Sequence, residues 1–153
     1  MHPTEDAPAM VVERYKYILQ QIHVVNENVY RFFAIFQTLA TAITTVALAL
    51  FVGYSKWGID PATARTGVRG LLLLITIIAG FTVLLVVAGI LSWLDYRREE
   101  CELAARYVST DFRPAPRLRN FYRWYETYII LFIIAAAVLL WILGETLVIP
   151  RIR

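Results

Sequence analysis

Three long apolar runs set the pattern of this chain, at 32–54, 71–94 and 127–148. A hydrocarbon core about 30 Å thick is crossed by about 20 helical residues, so each run is long enough. Inside them there is no Lys, Arg or Asp, and the sole acid is Glu145. Lipid offers no partners to bare peptide groups, which leaves helices or a closed barrel. Barrel strands alternate apolar and polar positions, whereas Leu71–Ile75 and Tyr128–Leu140 do not. The pattern predicts an all-α polytopic membrane protein with three transmembrane helices and helical cytoplasmic extensions.

The flanking segments carry weaker patterns. Residues 1–9 hold two prolines and acids without periodicity, and are expected to be a disordered lead. From residue 10 to 31, Val11, Tyr15, Ile18, Ile22, Val25 and Val29 recur at alternating steps of four and three, continuing to Phe32. Glu13, Lys16, Gln20, His23, Glu27 and Arg31 occupy the other faces. One helix over 10–54 would be about 67 Å long at about 1.5 Å per residue. The mixed charge of its polar side favours packing on another protein helix over lying in the headgroups. The six stripe residues are therefore oligomer-contact candidates, with copies of this helix burying them against one another. Within a monomer the returning third helix could cover them instead.

Residues 55–70, with Trp57, Gly58, Asp60, Pro61 and Gly67, are expected to form an outer loop. The segment 95–126 is expected to continue the second helix through Asp95–Arg106, turn at Ser109-Thr110-Asp111 with Pro114 and Pro116, and restart a helix near Arg117. It has few apolar residues to offer the stripe. Phe121, Trp124, Tyr125 and Tyr128 then form an interfacial aromatic belt, and 149–153 is an outer tail.

Charge orients the predicted spans. Ten Lys and Arg residues precede the first run or lie between the second and third, against five in the other segments. By the positive-inside rule the N-terminus is cytoplasmic and the C-terminus outside, in a multi-pass protein of the cell membrane. The net charge of +3 comes without a basic aromatic platform, so nucleic acid is not expected as a partner. The N-terminal segment lacks a basic n-region, and the first span is expected to serve as an uncleaved signal anchor. The single cysteine, Cys101, has no intrachain partner for a disulfide.

Candidate chemistry is sparse. Gln37, Thr38, Thr41, Thr44 and Thr45 fall on one side of the first span, where they are candidates to line a pore. The competing role is helix packing, in which threonines bond back to their own helix. Leu48 interrupts this face near its outer end. An intramembrane acid is costly, which makes Glu145 a candidate for ion or proton handling, or else for a solvated rim position or pairing with a neighbour such as Arg69. His2 and His23 are the only histidines, and neither lies in a span, so no metal site and no cofactor are expected. No HExxH, phosphate-binding loop or nucleophile–base constellation is present, and an enzyme is not expected.

In layout the chain is similar to small multi-span membrane effectors of bacterial defence systems, which set a helix before a transmembrane hairpin and a helical extension after it. The likeness is architectural and transfers no residue roles, and the third span departs from it. Holins, also small and often three-spanning, do not account for the two cytoplasmic extensions. The expected class is a non-enzymatic homo-oligomer in the lipid bilayer, a pore or membrane-perturbing effector controlled through its cytoplasmic helices. The alternative is a small structural or regulatory subunit that docks a cytoplasmic protein partner.

Overall fold

The computed structural model describes residues 6–107, 116 and 118–153. It is helical, with no strand among the described residues. Helix α1 runs over Asp6–Gly53, α2 over Pro61–Tyr107 and α3 over Tyr125–Leu143. A π-helical turn at Gly144–Val148 and a 3-10 turn at Ile149–Arg151 continue α3. Three helices are long and apolar enough to cross a membrane, at Ala9–Gly53, Pro61–Tyr107 and Tyr125–Arg151. Large apolar side chains such as Ile77, Phe81, Leu84 and Leu131 point away from the protein on α2 and α3. Helices that are apolar on all sides suit a lipid environment.

Two element boundaries differ from the sequence expectation near the ends of α1 and α2. Helix α1 already begins at Asp6, inside the segment expected to be a disordered lead. The expected loop at 55–70 shrinks to the turn between Gly53 and Pro61, because α2 starts ten residues early. The physical cause is a local start signal. Asp60 Oδ2 accepts the backbone N–H of Thr63 at 3.0 Å and its hydroxyl at 3.3 Å. Pro61 then occupies the first helical position, where a missing N–H costs nothing. Gly58, at φ +64°, makes the reversal possible.

Helices α1 and α2 form an antiparallel pair along their whole lengths. Leu50 reaches Gly67 near the turn, and Val29 and Val25 lie against Gly89. At the open end the Arg14 Nε donates to Glu99 Oε1 at 2.8 Å. The buried positions of α2, Ala64, Val68, Leu72, Ile75, Ala79, Thr82 and Val86, step by threes and fours down one side. This is the periodicity of a helix face.

The 10–31 stripe is covered by this pairing. Ile18 is 0% and Val29 2% exposed, and Val11, Tyr15, Ile22 and Val25 are partly buried. The cover comes from α2, which stays helical to Tyr107, and not from the returning third helix. Within one chain α2 thus buries Ile18 and Val29 and leaves the other four stripe residues partly exposed. The segment after Asp95 serves as cover despite its polarity, because Glu100 is folded under, 0% exposed. Its carboxylate accepts from Arg97 and from the Tyr15 hydroxyl, the latter at 3.3 Å.

Helix α3 docks mainly on α2. Phe36, Ala79 and Ile133 make a three-helix core, with Phe33, Ala40, Ile78, Val83, Ile129 and Ala137 around it. A second core at the turn end joins Ala64, Val68 and Leu72 to Ile149 and Ile152. Gly144 permits that contact, since a Cβ there would stand 2.5 Å from Leu72 Cδ1. Trp141 Nε1 donates to Thr76 Oγ1 at 2.7 Å, and Thr76 in turn donates to the Leu72 carbonyl at 3.0 Å.

The third helix does not begin near Arg117 as an α-helix. Residues Leu118–Arg123 form a 3-10 segment, and Trp124 is extended at φ −87°, ψ 134° before α3 starts. The Phe121 carbonyl holds the break, accepting from Trp124 N at 3.0 Å and Thr127 Oγ1 at 2.7 Å. Trp124 packs edge-on to Trp93 at 5.5 Å between centroids. The expected turn at Ser109-Thr110-Asp111 and Pro114 lies outside the described residues.

Candidate functional site in the polar face of α1

Helices α1 and α3 touch through aromatic rings at one level. Tyr30 stacks on Tyr125 with centroids 5.1 Å apart, and Phe33 meets Phe132 edge-on at 5.7 Å. Beyond Phe36 toward the turn, a lateral groove of about 450 Å³ separates the two helices. Phe36, Gln37, Ala40, Thr41, Thr44 and Thr45 line one wall, and Phe132, Ala136, Leu139 and Leu140 the other. The small Ala40 and Ala136 leave the space that the aromatic pairs fill lower down.

Four of the five predicted pore-lining residues thus come together in the groove. Thr38 does not line it, and its exposed hydroxyl donates to the Ala34 carbonyl at 3.0 Å. The Thr45 hydroxyl similarly donates to the Thr41 carbonyl at 2.9 Å. These back-bonds satisfy the hydroxyls within α1. Gln37 differs: its amide is exposed and makes no hydrogen bond among the described residues. Thr44 and Leu140 are shared with an apolar cavity of about 290 Å³, which Leu48 and Leu72 also line. Leu48 therefore borders the adjoining cavity.

Glu145 is engaged by Arg69. The pair is two-pronged, with Nε to Oε1 at 2.9 Å and the second guanidinium nitrogen to Oε2 at 3.1 Å. Nearby, Arg65 donates twice to the Ile152 carbonyl, at 3.0 and 2.7 Å, and the Tyr54 hydroxyl donates to the Arg153 carbonyl at 3.0 Å. These contacts tie the Ile149–Arg153 segment to the α1–α2 turn. Among the described residues no three His, Cys, Asp or Glu side chains cluster as metal ligands, and His23 is exposed.

The Arg97–Glu100 pair is not among the candidates drawn from the sequence. The signal was present in phase: Glu100 and Ala104 lie four apart on the side that faces α1. Arg97 also lies over the Trp93 ring at 5.9 Å. Hydrogen bonds to a buried charged group contribute about 1.5–3 kcal/mol, so Arg97→Met should lower stability by about that much. Equilibrium unfolding in mild detergent checks this. A change below about 0.5 kcal/mol, as for ordinary surface substitutions, would mean that Arg97 does not stabilise the buried carboxylate.

No family model, curated protein or solved structure matches the chain.

Proposed function

We propose that the chain is a non-enzymatic, homo-oligomeric membrane protein in which the polar face of α1 lines a water path between copies. The N-terminus and the open end of the α1–α2 pair face the cytoplasm, as the distribution of basic residues favours. This pair of helical extensions controls the assembly. The observation that carries the proposal is the unpartnered Gln37 amide, set with Thr41, Thr44 and Thr45 on a groove open to the side. An amide without a partner is costly in hydrocarbon, and a neighbouring copy or water removes that cost. The contact between copies therefore belongs at the groove, since the 10–31 stripe is covered within one chain. One polar face can bound a pore only when several copies surround an axis.

Cysteine scanning over 37–49 in a Cys101→Ala background tests this. Thr41 and Thr45 should react with aqueous thiol reagents while Leu39 and Val46 stay protected, and modification at Gln37, Thr41 or Thr45 should change conductance. Gln37→Leu should shift the native mass in nanodiscs toward the monomer. Uniform protection together with a parent that is monomeric in several lipids would sink the proposal.

A second reading, an accessory subunit, draws on the back-bond of Thr45. A hydroxyl already satisfied within α1 suits a dry groove that seats a partner's transmembrane helix. Induced expression separates the two. A pore depolarises the cell, whereas a subunit is inert alone and co-purifies with its partner.

A further inference from the structure

A pocket of about 270 Å³ lies at the opposite end of α3 from Glu145, where all three helices leave their apolar runs. Asn26, Trp93, Arg123, Trp124, Tyr125 and Glu126 line it. Its depth can be read from the sequence. Trp93 closes the run 71–94, Tyr125 precedes the run 127–148, and Asn26 lies one and a half turns before Phe32. In a bilayer this is the headgroup level, where Trp and Tyr concentrate.

Three features of the pocket bear on its ligand. The first is its aromatic wall, formed by the edge-on Trp93–Trp124 pair and by Tyr125, itself braced by the stacked Tyr30. Aromatic faces attract ammonium groups. The second is its pair of opposite charges. Arg123 closes the 3-10 segment and Glu126 lies in the first turn of α3, and the extended Trp124 separates them in the chain. Neither is in an ion pair among the described residues, although both line the same pocket. The third is the Tyr125 hydroxyl, which is buried beside Glu126 and Tyr30 and fixes the ring as part of the wall.

We infer that this pocket binds the headgroup of a zwitterionic phospholipid carrying a primary amine, a phosphoethanolamine group. Arg123 takes the phosphodiester oxygens, as guanidinium groups do. Glu126 accepts hydrogen bonds from the ammonium, with the indole rings beside it. An anionic headgroup without an amine meets the Glu126 carboxylate and is disfavoured. A choline headgroup fits the rings but has no N–H to give to Glu126. The inference rests on the membrane placement proposed above and is independent of oligomeric state.

The full-length protein is reconstituted in nanodiscs holding equal parts of phosphatidylethanolamine, phosphatidylcholine and phosphatidylglycerol. Native mass spectrometry then reads the lipids that remain bound after release. The ethanolamine lipid should be retained in clear excess over both others. Glu126→Gln should reduce the ethanolamine-over-choline preference about tenfold, the equivalent of one charge-assisted hydrogen bond. Arg123→Gln should weaken retention of both zwitterionic lipids while leaving their ratio in place. Equal retention of the three lipids by the parent, or an excess of phosphatidylglycerol, overturns the inference. So does an unchanged preference in Glu126→Gln that keeps the parent's circular dichroism and melting. Should that variant fail to fold, the parent's lipid ratios and Arg123→Gln still decide. A chain that does not enter nanodiscs at all defeats the membrane placement itself, and this inference with it. One that enters and is indifferent to headgroup defeats the inference alone.

Discussion

Ile18→Asp should open the α1–α2 pair at its free end while leaving the apolar halves packed. Ile18 is 0% exposed, in the half of the pair that α3 does not reach. Removing the buried aliphatic group costs about 1.5–3 kcal/mol, and desolvating an unpaired carboxylate adds to it, so the total should exceed about 3 kcal/mol. No second layer among the described residues backs these positions, and the loss is expressed as local opening. Hydrogen exchange should accelerate over 10–31 and 95–107 and remain slow around Phe36, Ala79 and Ile133. Ile22 and Val25 are only partly buried and should respond less. The native mass should stay that of the parent. A fall in mass with exchange unchanged would place the stripe between copies after all.

Phe36→Ala should loosen α3 from α1 while leaving it docked on α2. Phe36 is 2% exposed and sits where all three helices meet, beside Ala79 and Ile133. Truncating a buried phenylalanine costs about 3–5 kcal/mol. The loss falls on one joint, because on the turn side of Phe36 α1 and α3 are parted by the groove. Phe132 is 54% exposed, and Phe132→Ala should cost far less even though it also removes a ring contact with α1. Unfolding in detergent, followed by the fluorescence of Trp124 and Trp141, compares the two. Equal effects would mean that the edge-on ring pair, and not the three-helix core, fastens α3 to α1.

Much of the helical layout was legible in the sequence, because the apolar runs and the four–three steps from Val11 to Phe32 report directly on helix faces. The pairing of Glu145 with Arg69, one of the two roles weighed for that acid, also follows from its place near the end of the run. The early start of α2 was written in Asp60, Pro61 and Thr63 but was masked by the neighbouring glycines. What covers the stripe was not legible from composition. Glu100 looks like a solvated acid until α2 is laid antiparallel to α1, when Arg97 and Tyr15 arrive around it. The break at Trp124 was hidden for a similar reason, since it depends on the Phe121 carbonyl collecting two donors. The polar face of α1 was visible as spacing. Its division, with Thr38 outside the groove and Gln37 left unpartnered, depends on where α3 leans away.

The near-equal lengths of α1 and α2, 48 and 47 residues, carry a mechanical consequence. Among the described residues, only the half of the pair next to α3 is braced on a third side. The other half is a two-helix arm of about 33 Å over residues 10–31, at about 1.5 Å rise per residue. Swinging such an arm through 10° moves its tip by about 6 Å, close to one helical turn. The fulcrum lies at the level of Tyr30, Tyr125 and the two indoles, and the groove begins immediately beyond it. A displacement of the tip at Arg14 and Glu99 would on this geometry turn the helix that carries Gln37.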